Sequence, residues 1–242
     1  MNYEILGTTM QALKLQLAAN ERIYTESGAM TWMTPNITMD TNFKGGLLKS
    51  LGRAISGESL TLTFFEPKGG SGVVGFTPTA PGKIIPLTIS RHKPIILQKD
   101  AFMVAEESVE LSIFFQKKLG TGFFGGEGFI MQKLSGDGLA FAEIDGEVLE
   151  MVLAPGEVID VDTSHVAMFE ASVEMDIRMV KGFKNVIFGG EGLFLTRLTG
   201  PGKIWLQTMT IANLAGKIAS HIPRGSKSDR GMINSLGDLF ND

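Results

Sequence analysis

The sequence predicts an all-β chain of three repeated units followed by a short C-terminal helix. Three observations carry that reading: apolar residues alternate with polar ones over short runs, turn signals recur every 8–12 residues or so, and glycine is over-used in an ordered way. Leu13, Leu15 and Leu17 alternate with Lys14 and Gln16, and Leu60, Leu62 and Phe64 alternate with Thr61 and Thr63, the period of a half-buried strand. Glycine makes up 30 of 242 residues, about 12% against roughly 7% in an average domain.

The glycines fall into landmarks that repeat in one order. A turn signal leads into a β-type run at Ala18-Ala19-Asn20-Glu21-Arg22-Ile23, Ala80-Pro81-Gly82-Lys83-Ile84-Ile85 and Ala154-Pro155-Gly156-Glu157-Val158-Ile159. Pro fixes φ near −65°, and Gly or Asn accepts the positive φ that follows. Each turn is followed by a Gly-Glu pair opening an apolar run, at Gly57-Glu58, Gly126-Glu127 and Gly190-Glu191, and then by a Gly-x-Gly, at Gly70 and Gly72, Gly136 and Gly138, Gly200 and Gly202. A fainter match joins Ser27-Gly28-Ala29-Met30 to Asp100-Ala101-Phe102-Met103 and Glu170-Ala171-Ser172-Val173. The units are therefore 1–77, 78–150 and 151–207, with 208–242 left as a helical and flexible tail. Repeats of this kind complete their cores by packing on their neighbours.

Helical spacing is confined to two places. Leu47, Leu48, Leu51 and Ile55 share one face opposite Lys49 and Arg53, and Ile211, Leu214, Ala215, Ile218 and Ile222 follow the same period until Pro223 stops it. Packing against the third unit is the expected use of the second helix, although Lys217 and His221 give it a mild basic side suited to a membrane surface.

Composition excludes several classes. The 43% hydrophobic content and net charge of −4 do not fit a disordered chain. With no cysteine there is no disulfide framework, thiolate metal site or Cys nucleophile. The first residues, Met1-Asn2-Tyr3-Glu4-Ile5-Leu6, lack a cationic segment before an apolar run, and no stretch reaches the roughly 18 apolar residues of a membrane span. A cytoplasmic location is the expectation. Lys plus Arg numbers 22 against 26 acidic residues, without the basic excess of a general nucleic-acid binder.

Three segments together resemble a known family: Glu26-Ser27-Gly28-Ala29-Met30-Thr31-Trp32-Met33, then Gly45-Gly46-Leu47 leading to Ser56-Gly57-Glu58-Ser59-Leu60, and Phe188-Gly189-Gly190-Glu191-Gly192-Leu193-Phe194. The chain is similar, from residue 1 to about 210, to the family of altered inheritance of mitochondria protein twenty-four. That resemblance implies three β-sandwich units, each similar to a subunit of the tryptophan RNA-binding attenuation protein, around a pseudo-threefold axis. Eukaryotic relatives are associated with mitochondrial inner-membrane organisation, from which this chain departs by lacking a transit peptide. No catalytic residues come with the family.

Gly120-Thr121-Gly122-Phe123-Phe124-Gly125 has the spacing of a dinucleotide loop, but it runs on into a strand signal where that loop needs a helix. Asp160, Asp162 and His165 mix metal-ligand types, with the two carboxylates on one strand face, and Pro86, Thr88 and His92 match them in the second unit. A solvated strand face is the expected reading. Glu58, Glu127 and Glu191 recur at one place in each unit and would form a carboxylate ring about a threefold axis, or else each accept a local backbone hydrogen bond. His92, His165 and His221 are the only imidazoles, no Ser has a nucleophile-elbow frame, and Glu106-Glu107 would point to opposite faces. Met30, Met33 and Met39 near Trp32 are expected to fill core gaps.

The sequence thus points to a non-enzymatic binding or scaffold protein with no catalytic, metal or cofactor residues. It would be monomeric or a small homo-oligomer, serving a protein or membrane-associated partner by peripheral contact. A small-ligand or RNA-binding module is the alternative, and would use Lys44, Lys49 and Arg53 or Lys117 and Lys118. A metal-dependent enzyme would require Asp160 and His165 to converge in a cleft.

Overall fold

Leu13, Leu15 and Leu17 all turn to one side of strand β2 (Ala12–Leu17) and are buried, as their alternation requires. The computed structural model describes residues 1–26, 30–41, 62–117, 128–180 and 193–221. Before β2 lies β1 (Asn2–Leu6); after it come β3 (Ile23–Glu26), β4 (Met30–Met33), β5 (Ile37–Asp40), β6 (Leu62–Pro67) and β7 (Gly72–Phe76). The chain continues through β8 (Gly82–Ile89), β9 (Ile95–Gln98), β10 (Phe102–Glu106), β11 (Val109–Lys117), β12 (Phe129–Gly136) and β13 (Gly138–Asp145). Last are β14 (Val148–Leu153), β15 (Val158–Asp162), β16 (Val166–Glu170), β17 (Glu174–Val180), β18 (Leu193–Thr199) and β19 (Gly202–Gln207), then helix α1 (Ile211–His221). Residues 1–210 form one compact unit, and 211–242 are a second.

Among the described residues the strands make four antiparallel sheets, in the orders β1-β2-β7-β4, β5-β6-β3-β10-β13-β8, β11-β12-β9-β16-β19-β14 and β15-β18-β17. The two six-stranded sheets are built alike. Each joins three strands of one stretch of chain to three from the next stretch, through β3 against β10 in one and β9 against β16 in the other. Among the described residues three cores lie between successive sheets. The first packs Leu13, Leu15, Leu17, Val74 and Phe76 against Ile23, Phe65 and Phe141. The second packs Tyr24, Phe64 and Phe102 against Leu97, Leu134 and Met168. The third packs Ile96, Phe129 and Phe169 against Val161, Ile177 and Leu198.

A sheet between two cores buries both faces, so its strands lose the alternation that a one-sided sheet shows. That is why Thr63, Phe64 and Phe65 of β6 are all buried despite the Leu-Thr-Leu-Thr-Phe pattern that suggested one buried face. The buried Tyr24 hydroxyl donates to the Val109 carbonyl at 2.9 Å, satisfying the one polar atom of that ring.

The Gly-x-Gly landmark sits where a bend leads into β7, β13 or β19, and its second glycine has a steric reason. In each case the next N–H donates to a side chain at the end of a facing strand: Val73 to the Thr34 hydroxyl at 3.0 Å, Leu139 to the Glu106 carboxylate at 2.8 Å, and Lys203 to the Glu170 carboxylate at 2.9 Å. A Cβ on Gly138 would meet Ser108 Oγ at 2.5 Å and Glu106 Oε2 at 3.0 Å, closing the space that the acceptor needs.

Two sequence landmarks fall elsewhere in the strand order. Asn20 and Gly156 lie between consecutive strands, β2 and β3 or β14 and β15, whereas Gly82 opens β8; the turn that corresponds in the second stretch is at Ser90–Lys93, closed by the Lys93 N–H to the Ser90 carbonyl at 3.0 Å. An Ala-Pro-Gly sequence specifies a turn conformation and carries no information about which strands it joins. Likewise, the partner of the Lys99–Ala101 turn is Thr163–His165, each a single 3-10 turn, and Glu170–Val173 starts at the last residue of β16 instead. The Gly-Glu pairs and the candidate helix at 46–55 lie outside the described residues.

Candidate functional site

β15 places Asp160 and Asp162 on the outward side of the three-stranded sheet, and the turn after it carries His165. Each is engaged separately. Arg197 of β18, opposite Asp160 in register, grips its carboxylate with two hydrogen bonds of 2.7 Å and holds its pKa below the usual range. Asp162 caps the turn by accepting from the Ser164 N–H at 3.0 Å and the Ser164 hydroxyl at 2.7 Å. His165 Nδ1 lies 2.7 Å from the Gln207 carbonyl oxygen. Among the described residues no group of three or more His, Asp and Glu side chains is placed to hold a metal. Pro86, Thr88 and His92 are not their counterparts, because they belong to β8 and the turn after it; the equivalent positions on β9 are Ile96 and Gln98.

A different carboxyl, Glu143 on β13, is strongly perturbed. Burial raises its pKa to about 7, and the charges of Asp145 and Asp100 add to the rise, while the hydrogen bond from the Thr79 N–H at 3.0 Å opposes it. Asp145 is also raised, chiefly by burial and then by Asp100. Sequence reasoning missed this group, since Glu143 follows Ala142 in an ordinary strand pattern that carries no mark of a buried carboxyl. Gln207 holds the corresponding place on β19, five residues after its glycine as Glu143 is after Gly138. A neutral amide stands there, accepting from the Asp145 N–H at 3.4 Å and donating to the Ser164 carbonyl at 2.8 Å.

Of the methionines near Trp32, Met30 is half-buried against the first core as expected, but Met33 and Met39 do not fill core gaps. Trp32 is 42% exposed, and Met33 and Met39 are exposed too. The cause is topological: β4 is the last strand of its sheet. A Cβ on Gly75 would run into the indole of Trp32, so the ring lies across β7 on the outward face. Other large apolar side chains are exposed at β14, which ends a six-stranded sheet, where Val152 is 75% and Leu149 51% exposed alongside Met151. On α1, Ile211, Leu214 and Ile218 are exposed as well. Glu58, Glu127 and Glu191, the glycine loop at 120–125, and Lys44, Lys49, Arg53 and Lys118 lie outside the described residues; Lys117 is exposed at the end of β11.

The profile of the family described as mitochondrial biogenesis AIM24 matches residues 3–209. The chain belongs to the AIM24 family. It is similar to an uncharacterised protein of Streptococcus pyogenes serotype M6, 28% identical over 223 residues and covering 88% of each chain. A crystal structure of a Streptococcus pyogenes protein superposes with a TM-score of 0.73 at 26% identity, covering 91% of this chain and 99% of that one. AIM24 membership thus extends over almost the whole β body, and α1 begins just beyond the matched residues. Among the described residues of this AIM24 chain, no helix is long and apolar enough to cross a membrane.

Proposed function

We propose that this AIM24 protein is a non-enzymatic binding or scaffold protein that recruits a protein partner along β14. The observation that carries the reading is the contrast between two edge strands. β8, which ends the first six-stranded sheet, contains Pro86 and is flanked by the segment before β2: the Gly82 N–H donates to the Thr9 carbonyl at 2.9 Å, the Ile84 N–H to the Gln11 side chain at 2.7 Å, and Lys83 Nζ to the Thr8 carbonyl at 3.0 Å. Proline, lysine and a covering segment are the devices that keep an edge from pairing with another chain. β14, at the same place in the second sheet, reads Val-Leu-Glu-Met-Val-Leu and has neither proline nor lysine. Its one charge, Glu150, is occupied within the sheet by Lys203 at 2.8 Å and by the Trp205 N–H at 2.9 Å. Such an edge suits an extended apolar segment that adds as a further strand, gaining main-chain hydrogen bonds and burying alternate side chains.

The test is affinity capture from the native organism with the wild-type chain and with a Val152→Lys variant. Val152 is mostly solvent-exposed, so the variant keeps its fold and its melting temperature. Partners enriched on the wild type and lost from the variant support the reading. An identical partner set on both, or none on either, overturns it.

A further inference from the structure

The two six-stranded sheets share a joint, and the chain has one half of that joint left over at each end. Inside the molecule β3 pairs with β10, Ala105 opposite Tyr24 and Glu106 opposite Ile23. β9 pairs with β16 in the same way, Met168 opposite Leu97, Phe169 opposite Ile96 and Glu170 opposite Ile95. β4 stands in the same relation to β7 as β10 does to β13 and β16 to β19, down to one register shift at the same point: between Met30 and Trp32, Phe102 and Val104, Val166 and Met168. β15 in turn corresponds to β3 and β9, each separated by three residues from the strand that follows. Among the described residues β4 pairs only with β7 and β15 only with β18.

We propose that the occupant of the β4 edge is β15 of a second copy of this chain, so that copies join head to tail through the joint that already connects the sheets within one copy. Carrying over the internal register, Met33 lies opposite Asp160, Thr34 opposite Ile159 and Trp32 opposite Val161 of the next copy. The four-stranded sheet of one copy and the three-stranded sheet of the other become one continuous antiparallel sheet.

The cores argue for the same occupant. In the internal joints, the strand that adds to the edge also completes the core before it: Met103 and Val104 of β10 belong to the first core, and Ala167 and Met168 of β16 to the second. All four are buried. β4 presents Thr31 and the half-exposed Trp32 at those positions. The third core is the one with no such addition, and Ile159, Met175 and Phe194 along it are only partly buried. Trp32 of a second copy supplies the apolar cover that Val104 and Met168 supply inside the molecule. Stacking of whole sheet faces is opposed by Asp160 and Arg197, which stand where Tyr24 and Phe64 stand in the first six-stranded sheet. An edge joint leaves that bidentate pair intact. Because the two edges differ, the contact is heterologous and closes into a ring or runs on as a filament.

The absence of cysteine makes the test clean. Two single-cysteine versions of the full chain, Met33→Cys and Asp160→Cys, are mixed under mild oxidation; both positions are surface-exposed, and melting temperatures confirm the fold. Facing residues of an antiparallel pair come within disulfide range. The proposal expects a mixed cross-linked dimer at least ten times more abundant than either homodimer, and than the product of Met33→Cys with Arg91→Cys, a distant exposed control. It also expects wild-type Trp32 fluorescence to shift to the blue as concentration rises, and Met33→Lys to abolish the shift. A mixed dimer no more abundant than the control, or a chain that stays monomeric at every concentration, overturns it.

Discussion

β4 and β16 occupy the same place in their sheets and have opposite fates. Both carry the same register shift against the strand beside them, yet Met168 and Phe169 are wholly buried while Trp32 and Met33 are exposed. Local sequence does not by itself explain the difference, since Met-Thr-Trp-Met carries three large apolar side chains, as Val-Ala-Met-Phe does. What differs is the neighbour: β16 has β9 on its open side, and among the described residues β4 has no strand there. The same residue types are thus core or surface according to whether another strand is added.

The largest expected effect breaks this comparison directly. Phe169→Ala should lower unfolding free energy by about 3–5 kcal/mol, the cost of a core cavity. Met33→Ala, at the equivalent end of β4, should cost less than about 1 kcal/mol in dilute solution. Urea denaturation of both variants measures the contrast, and similar losses would mean that β4 is not a surface strand.

The second concerns Glu143, whose place in the middle stretch is taken by Gln207 in the last. Its folded-state pKa of about 7 lies above the 4.5 of the free side chain, so ionisation works against folding. The penalty is absent below pH 4.5, grows as pH rises toward 7 and is complete above it, reaching up to about 3 kcal/mol. Wild type should lose stability over that window, and Glu143→Gln should flatten the loss; a wild-type profile that rises there would contradict the assignment.

Third, Glu106→Ala and Glu170→Ala remove the acceptors of partly buried N–H groups, and each should cost about 1–3 kcal/mol. Thr34→Ala, which removes the equivalent acceptor at the surface strand, should cost less. The smallest effect is expected for Asp160→Asn, an exposed ion pair screened by salt, whose melting temperature should converge with that of wild type as ionic strength rises.

Much of the fold was legible because strand period and glycine chemistry are local. Leu13, Leu15 and Leu17 gave the face of β2, and the Gly-x-Gly pairs marked three bends, which the structure places at the entries to β7, β13 and β19. The order of strands was not legible. Ala-Pro-Gly at 80–82 looked like its two counterparts, yet opens β8, because a turn records backbone angles and not partners. The same blindness to partners put Met33 and Met39 in the core and paired His92 with His165. Candidate chemistry fared similarly: alternation placed Asp160 and Asp162 on one face, but Arg197 opposite Asp160 comes from register, and the strand pattern carries no mark of the burial that raises the Glu143 pKa.

The most direct measurement is sedimentation velocity of the full chain over a wide concentration range, beside Met33→Lys. The account predicts wild-type species larger than one chain, growing with concentration, and a variant that stays at the mass of a single chain with an unchanged melting temperature. Identical distributions for the two proteins would contradict it.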